Sequence, residues 1–256
     1  MYEAQRERAI LRTVAERHFV SVQDLTAHLS TSEATIRRDL RRLAEAGRLR
    51  RVRGGAQAIE RPALAGQPQF GIDRTRHVGA KRAIARRAAA LCEPGDAVIV
   101  DGGTTTFAMA EFLGNLGLQI LTNSFPLAQE LVGRSNNRIL LPGGEIYREQ
   151  QLIVGPYAQP TIEHFSGRLM FLSAQAIGPH GLMQTDPLLI QTELQLIARA
   201  EKLVALVDSS KFELRASLVL CPLTQIDVLI TTADLSREKR ALLAEAGIEI
   251  LFAEEA

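Results

Sequence analysis

The run Ser32-Glu33-Ala34-Thr35-Ile36-Arg37-Arg38-Asp39-Leu40-Arg41-Arg42-Leu43 decides what the first part of this chain folds into. Ile36, Leu40 and Leu43 recur at i, i+4 and i+7, the spacing that lines up one face of an α-helix. Ser32 is a ready N-cap, since its hydroxyl can accept from a backbone N–H one turn on, and Gly47 supplies the stop. With the apolar face turned inward, Thr35, Arg38 and Arg42 project on the opposite side, and Arg37 and Arg41 stand at its edge. Short polar groups at the start of such a helix permit close approach to a duplex. Arginines behind them suit guanine edges and phosphates.

Two further helical segments precede this one. Residues 3–17 place Ile10, Leu11 and Val14 on one face, and a second helix opens at Ser21, whose hydroxyl can cap a turn ending at Asp24. Val22, Leu25 and Leu29 point inward from it, and Ser30-Thr31 breaks it. Three helices with a tight turn between the second and third make a helix-turn-helix unit. After Gly47, Leu49 and Val52 alternate with Arg48, Arg50, Arg51 and Arg53, a pattern for one strand of a small wing. Gly54-Gly55 would turn the chain and residues 56–59 would return it. The wing arginines suit phosphates, which fix register without reading sequence. Ser32, Thr35, Arg37, Arg38, Arg41, Arg42, Arg51 and Arg53 are therefore the candidate DNA contacts, and double-stranded DNA is the expected partner.

Charge segregation points the same way. The 256 residues carry a net charge of only +1, yet residues 1–60 hold twelve Lys/Arg against eight Asp/Glu, a net of +4, and the remainder nets −3. A basic head on a mildly acidic body fits nucleic-acid contact at one end only. Apolar runs such as residues 203–207 are far too short to span a bilayer. The first residues lack a signal core and cleavage site, so the expected location is cytoplasmic, with no membrane partner. Cys92 and Cys221 lie in apolar surroundings and read as buried free thiols. His18, His28, His77, His164 and His180 show no metal-ligand spacing, so no metal or other cofactor is expected.

Residues 60–72, with two prolines and two glycines, read as a linker between a head at 1–59 and a second domain at 73–256. Beyond it helix and strand signals alternate. Strands are expected at 97–100, 118–121, 138–141, 168–173, 203–207, 228–230 and 248–252. Helices are expected at 73–92, 105–113, 126–132, 188–200 and 237–246. Short apolar strands alternating with helices predict an α/β domain with a mostly parallel sheet covered on both faces.

Asp101-Gly102-Gly103-Thr104-Thr105-Thr106 falls between a strand and a helix. Glycines let backbone N–H groups approach an anion, and threonine hydroxyls and the helix start add donors and positive potential. The turns with Asn123-Ser124 and Gly143-Gly144 end two other strands, and in an open parallel sheet such turns gather at the carboxyl edge. Lys211, after the turn Asp208-Ser209-Ser210, can bring an ammonium to that edge or stand as an ordinary surface lysine. Together these turns suit a small phosphorylated sugar or polyol.

The run from Thr35 to Leu40, then Leu43, Gly47 and the wing from Arg51 to Ala56, resembles the DeoR family of bacterial transcription regulators. The resemblance continues through Lys81-Arg82-Ala83-Ile84-Ala85, Asp101 to Thr105, Thr122-Asn123, Gly143-Gly144 and Asp208 to Phe212, nearly the whole chain in order. It implies an effector domain with the fold of ribose-phosphate isomerase and related enzymes. It also implies a repressor relieved by a sugar phosphate and a homodimer or higher homo-oligomer. The chain departs from the family after the strand at 168–173, where Ser173-Ala174-Gln175-Ala176 offers no carboxylate. Residues 181–186, Gly-Leu-Met-Gln-Thr-Asp, instead resemble the ascorbate-utilisation branch of the family. Asp186 there either supplies the missing acid or is a plain turn before a helix.

Two competing readings remain. A sugar-phosphate isomerase or deaminase with an added domain would need a carboxylate base beside the substrate carbon. The Ser-Ala-Gln-Ala segment argues against it and for a non-enzyme, although Glu145 and Glu193 stay open as pocket acids. A module whose helix-turn-helix binds protein would show no salt-dependent duplex binding.

Overall fold

The computed structural model describes residues 6–7, 9–11, 13–14, 19–29, 31–45, 49–52, 54–57, 70–155 and 158–254. It divides into two compact units, Met1–Ala65 and Gly66–Ala256.

In the first unit β1 (Phe19–Ser21) leads directly into α1 (Val22–Leu29), followed by α2 (Glu33–Glu45) and the wing strands β2 (Arg50–Val52) and β3 (Gly55–Gln57). The caps are those the sequence prescribes. Asp24 N–H donates to Ser21 Oγ at 3.0 Å while Ser21 Oγ donates back to the Asp24 carboxylate at 2.7 Å, a reciprocal cap. Thr35 N–H donates to Ser32 Oγ at 3.3 Å. Ile10, Val14, Leu25, Leu29, Ile36, Leu40 and Leu43 close over Val20, Leu49 and Ala56 in a core of the unit's own. The wing differs from expectation in having three strands, in the order β1-β3-β2. A strand at Phe19–Ser21 was too short to register beside the capping signal at Ser21. The expected helix stop at Gly47 lies outside the described residues.

The second unit opens earlier than the composition suggests. The expected linker has ended by α3 (Phe70–Asp73). Phe70 is buried, its ring meets Phe107 edge-on at 5.4 Å, and its N–H donates to the Glu149 carbonyl at 3.2 Å. Burying an aromatic side chain outweighs the loop tendency of the flanking prolines and glycines. The basic helix expected from Asp73 begins only at α4 (Val78–Ala89), because His77 takes a left-handed φ of 50°.

Seven parallel strands follow: β4 (Ala97–Val100), β5 (Gln119–Leu121), β6 (Arg138–Leu140), β9 (Gly167–Leu172), β12 (Ala200–Leu206), β14 (Val228–Thr232) and β15 (Glu249–Ala253). Their order is β15-β14-β12-β9-β4-β5-β6. Alternate residues go to opposite faces, as a strand requires. Val98, Val100, Leu169, Phe171, Val204 and Leu206 join one buried cluster with Ile84, Ala88 and Leu131. Ile99, Met170, Leu172, Leu203 and Ala205 join the other with Ile162, Leu196 and Leu243. The helices on these faces include α4, α6 (Phe125–Arg134), α7 (Gln159–Glu163), α8 (Pro187–Ile197) and α9 (Arg237–Glu245). The expected helix at 105–113 is a short α5 (Thr104–Phe107) continued by a 3-10 turn. The helix expected to reach residue 200 stops at Ile197, since β12 already pairs with β9 from Ala200 onward. Two small antiparallel pieces lie outside the expected pattern: the hairpin of β7 (Glu145–Tyr147) and β8 (Leu152–Val154), and a sheet of β10 (Ala176–Gly178), β11 (Gly181–Gln184) and β13 (Leu218–Cys221). No described helix is long and apolar enough to cross a membrane.

From β4 the chain steps outward through β5 to β6, then returns to β9 on the other side of β4 and continues outward again. The order therefore reverses between β4 and β9. In an open parallel sheet the loops at the carboxyl ends of two such strands diverge and leave a crevice.

Candidate functional site

That crevice is present. A cleft with about 480 Å³ of atom-free space, part of it open to solvent, is lined by Asp101–Thr104 after β4 and by Ser173–Gln175 after β9. Lys211, from the 3-10 turn after β12, joins them. The remaining walls come from Phe70 and Asp73 of α3, Gln150, Leu152 of β8, Gln184 of β11, and Leu189 and Glu193 of α8.

The Gly-Gly turn is demanded by space. A Cβ at Gly102 would run into the Leu152 side chain, and one at Gly103 into Ser173 Cβ. Gly103 then caps α5, whose first residue, Thr104, faces the cleft. Lys211 is positioned by Asp208, whose carboxylate accepts from Ser210 N–H at 3.0 Å. Lys81, buried on α4, ties α3 to α4 by donating to the Asp73 carbonyl. Burial first, and then the nearby charge of Lys211, pull the Lys81 ammonium below its usual range.

The acidic groups sit deeper. Asp101 and Glu193 are 2% and 1% exposed. Burial pushes the Asp101 carboxyl up to about 6, against the opposing pull of the Gly102, Ser173 and Gly103 N–H groups and the Asn123 amide. Burial, and then the Asp101 charge, hold Glu193 well above the usual carboxylate range. Gln184 Nε2 donates to Glu193 Oε1 at 2.7 Å.

Of the expected ligand-binding residues, the structure brings Asp101, Gly102, Gly103, Thr104 and Lys211 to one cleft. The others do not line it. Thr105 is buried, and Thr106 bonds the Gly103 carbonyl at 2.8 Å. Asn123 lies buried beside Asp101, and Ser124 caps α6 by accepting from Leu127 N–H at 3.3 Å. Gly143 and Gly144 are exposed ahead of β7. Asp186 caps α8, accepting from Leu188 N–H at 2.9 Å. Glu193, left open before, lines the cleft together with Asp73 and Asp101, whereas Glu145 is exposed on β7. Its signal was topological, since only the return of α8 beneath the switch point brings residue 193 near residue 101. Among the described residues no group of His, Cys, Asp or Glu could hold a metal ion.

On the first unit, Ser32 just ahead of α2 and Arg37, Arg38, Arg41 and Arg42 on it are exposed, with Thr35 half-buried. Arg37 pairs with Glu33 at 2.5 Å. Arg38 and Arg41 form no ion pair among the described residues. Arg42 is held by Glu7 and lies 3.7 Å from Asp39, so it also braces the helices. Asp39, 2% exposed, accepts from Arg6 Nε at 2.6 Å, which accounts for an acid inside an arginine run. Arg51 is exposed on β2, and Arg53 lies outside the described residues.

A winged helix-turn-helix in one unit and a cleft at the switch point of a parallel sheet in the other define a DNA-binding transcription regulator with a sensor domain. The DeoR-like helix-turn-helix domain matches residues 6–62, and the DeoR C terminal sensor domain matches residues 76–233. The HTH-type transcriptional regulator UlaR of Shigella dysenteriae serotype 1 (strain Sd197) is 33% identical over 251 residues, covering 98% of this chain and 99% of that one. Its counterpart from Salmonella arizonae (strain ATCC BAA-731 / CDC346-86 / RSK2980) is 34% identical over the same shares. The chain belongs to the DeoR family, and it is a regulator rather than an enzyme. Among solved structures, ribose 5-phosphate isomerase A from Methanocaldococcus jannaschii matches at 17% identity and a TM-score of 0.38, over 52% of this chain and 53% of that one. The eIF2B beta chain from Chaetomium thermophilum matches at 15% and 0.41, over 59% and 48%.

Proposed function

We propose that this regulator is a cytoplasmic repressor of carbohydrate-utilisation genes whose operator binding is controlled by a phosphorylated sugar or polyol. The observation that carries this reading is the convergence of the Gly102–Thr104 turn and Lys211 on one cleft. Backbone N–H groups at a helix start and one ammonium suit a phosphate. Ser32, Thr35, Arg37, Arg38, Arg41 and Arg42 of α2, with Arg51 and Arg53 of the wing, meet the operator. A homodimer or higher homo-oligomer sets two such helices in successive major grooves of a palindromic or repeated site. The effector acts by preferring one arrangement of the assembly, since equal affinity for both would shift nothing.

A thermal-shift screen of the purified chain against sugar and polyol phosphates, ascorbate 6-phosphate among them, and their unphosphorylated parents tests it. Stabilisation that requires the phosphate, and that changes affinity for operator duplex, is expected. No response to any phosphate, with duplex binding intact, would refute the sensor reading.

A further inference from the structure

Three acceptor atoms lining this cleft have no hydrogen-bond partner: Asp101 Oδ1, Gln184 Oε1 and Glu193 Oε2. Their side chains are at least nine-tenths buried, and Gln184 has already spent an amide N–H on Glu193 Oε1. A buried acceptor without a donor is costly, and three lining one cleft call for donors from outside the fold. One proton shared between the two carboxyls would pair two of the three, as hydroxyl on one and acceptor on the other, and leave Gln184 Oε1 without a donor. Solvent can serve it, but a ligand that displaces solvent must bring donors of its own.

We propose that Asp101, Gln184 and Glu193 form a subsite that reads hydroxyl groups on the ligand, selecting sugar or polyol monophosphates over sugar-acid phosphates and bisphosphates. This rests on the reading that Gly102–Thr104 and Lys211 hold the phosphate, which leaves the carbon chain to run toward the acids. A ligand hydroxyl gives each orphan oxygen a proton to share. A carboxylate or second phosphate there brings only acceptors and faces a carboxyl pair that already resists further negative charge. Glu193 and Gln184 are therefore specificity residues on α8 and β11, distinct from the anion cradle.

The test is calorimetric titration of the full chain with paired probes of equal length: glucitol 6-phosphate against 6-phosphogluconate, and ribitol 5-phosphate against 5-phosphoribonate. Unphosphorylated glucitol and inorganic phosphate serve as controls. The polyol phosphate should bind roughly tenfold or more tightly than its acid partner, since a site built to pair hydroxyls rejects analogues that leave its polar groups unpaired. Glu193→Gln keeps the shape but adds a donor, and should shrink or invert that ratio with inorganic phosphate binding unchanged. Gln184→Met, a second variant, should weaken the polyol phosphates while sparing the acids. Equal affinity for both partners in the wild type, or a ratio unmoved in both variants, overturns the subsite. Glucitol bound as well as its phosphate, with the ratio still moved by Glu193→Gln, refutes the anion cradle and supports the subsite. Binding of neither polyol phosphate overturns it as well.

Discussion

Asp39 and Glu193 are both buried carboxylates, and they differ in what faces them. Asp39 is buried against a fixed partner, the Arg6 guanidinium, so Asp39→Ala breaks a buried ion pair. It should cost the head about 3 kcal/mol, read by chemical denaturation followed through its helices. A loss below about 1 kcal/mol would place the pair among weak surface bridges. Glu193 is buried without a cation. A carboxyl held above its unfolded value keeps its proton longer in the folded state. The stability this gives is present at low pH and is lost as pH rises through the folded value. Glu193→Gln escapes that loss. Its Tm should exceed the wild type's by about 2–4 °C near pH 8, with the gap closing toward pH 5. A gap that ignores pH would mean the carboxyl does not titrate in this range.

Elements with many repeats of a period were legible, and those resting on one or two contacts were not. The α2 run repeats its apolar residue enough times to fix both its type and its exposed face, so Ile36, Leu40 and Leu43 are buried where expected. The seven parallel strands were visible as apolar runs. β1 and the strands β10, β11 and β13 are three or four residues long and owe their state to partners far along the chain, which no local pattern encodes. The cleft divides in the same way. Its glycine turn and Lys211 announce themselves, whereas Gln184 and Glu193 become neighbours of Asp101 only through topology. At this scale the arginines of α2 should separate. Arg38→Ala should weaken operator binding about 10–100-fold and lower the salt slope by about one. Arg42→Ala, which also releases Glu7 and Asp39, should in addition lower the melting temperature of the head. Identical behaviour of the two variants would contradict the division of labour. For α3, Phe70→Ala should cost the sensor about 3 kcal/mol and weaken effector binding, because the ring is both core and cleft wall. A stability loss with effector affinity intact would remove α3 from the site.

The described residues form separate cores, one confined to residues before 58 and two flanking the parallel sheet. Scanning calorimetry should resolve two transitions. An effector at a hundred times its Kd should stabilise the sensor transition alone by about 2.7 kcal/mol, and operator duplex should shift the other. One transition raised by either ligand would show that the units unfold together. The strand order also sets a clock. The head's described strands and core lie within the first 57 residues, whereas the sheet waits for β15 at Glu249–Ala253 to take its place beside β14. At ordinary ribosomal speed, that interval lasts about 10–40 s. Throughout it a nascent chain carries a finished reading head and an unfinished sensor, so each new molecule passes through an interval in which its grip on an operator answers to no metabolite.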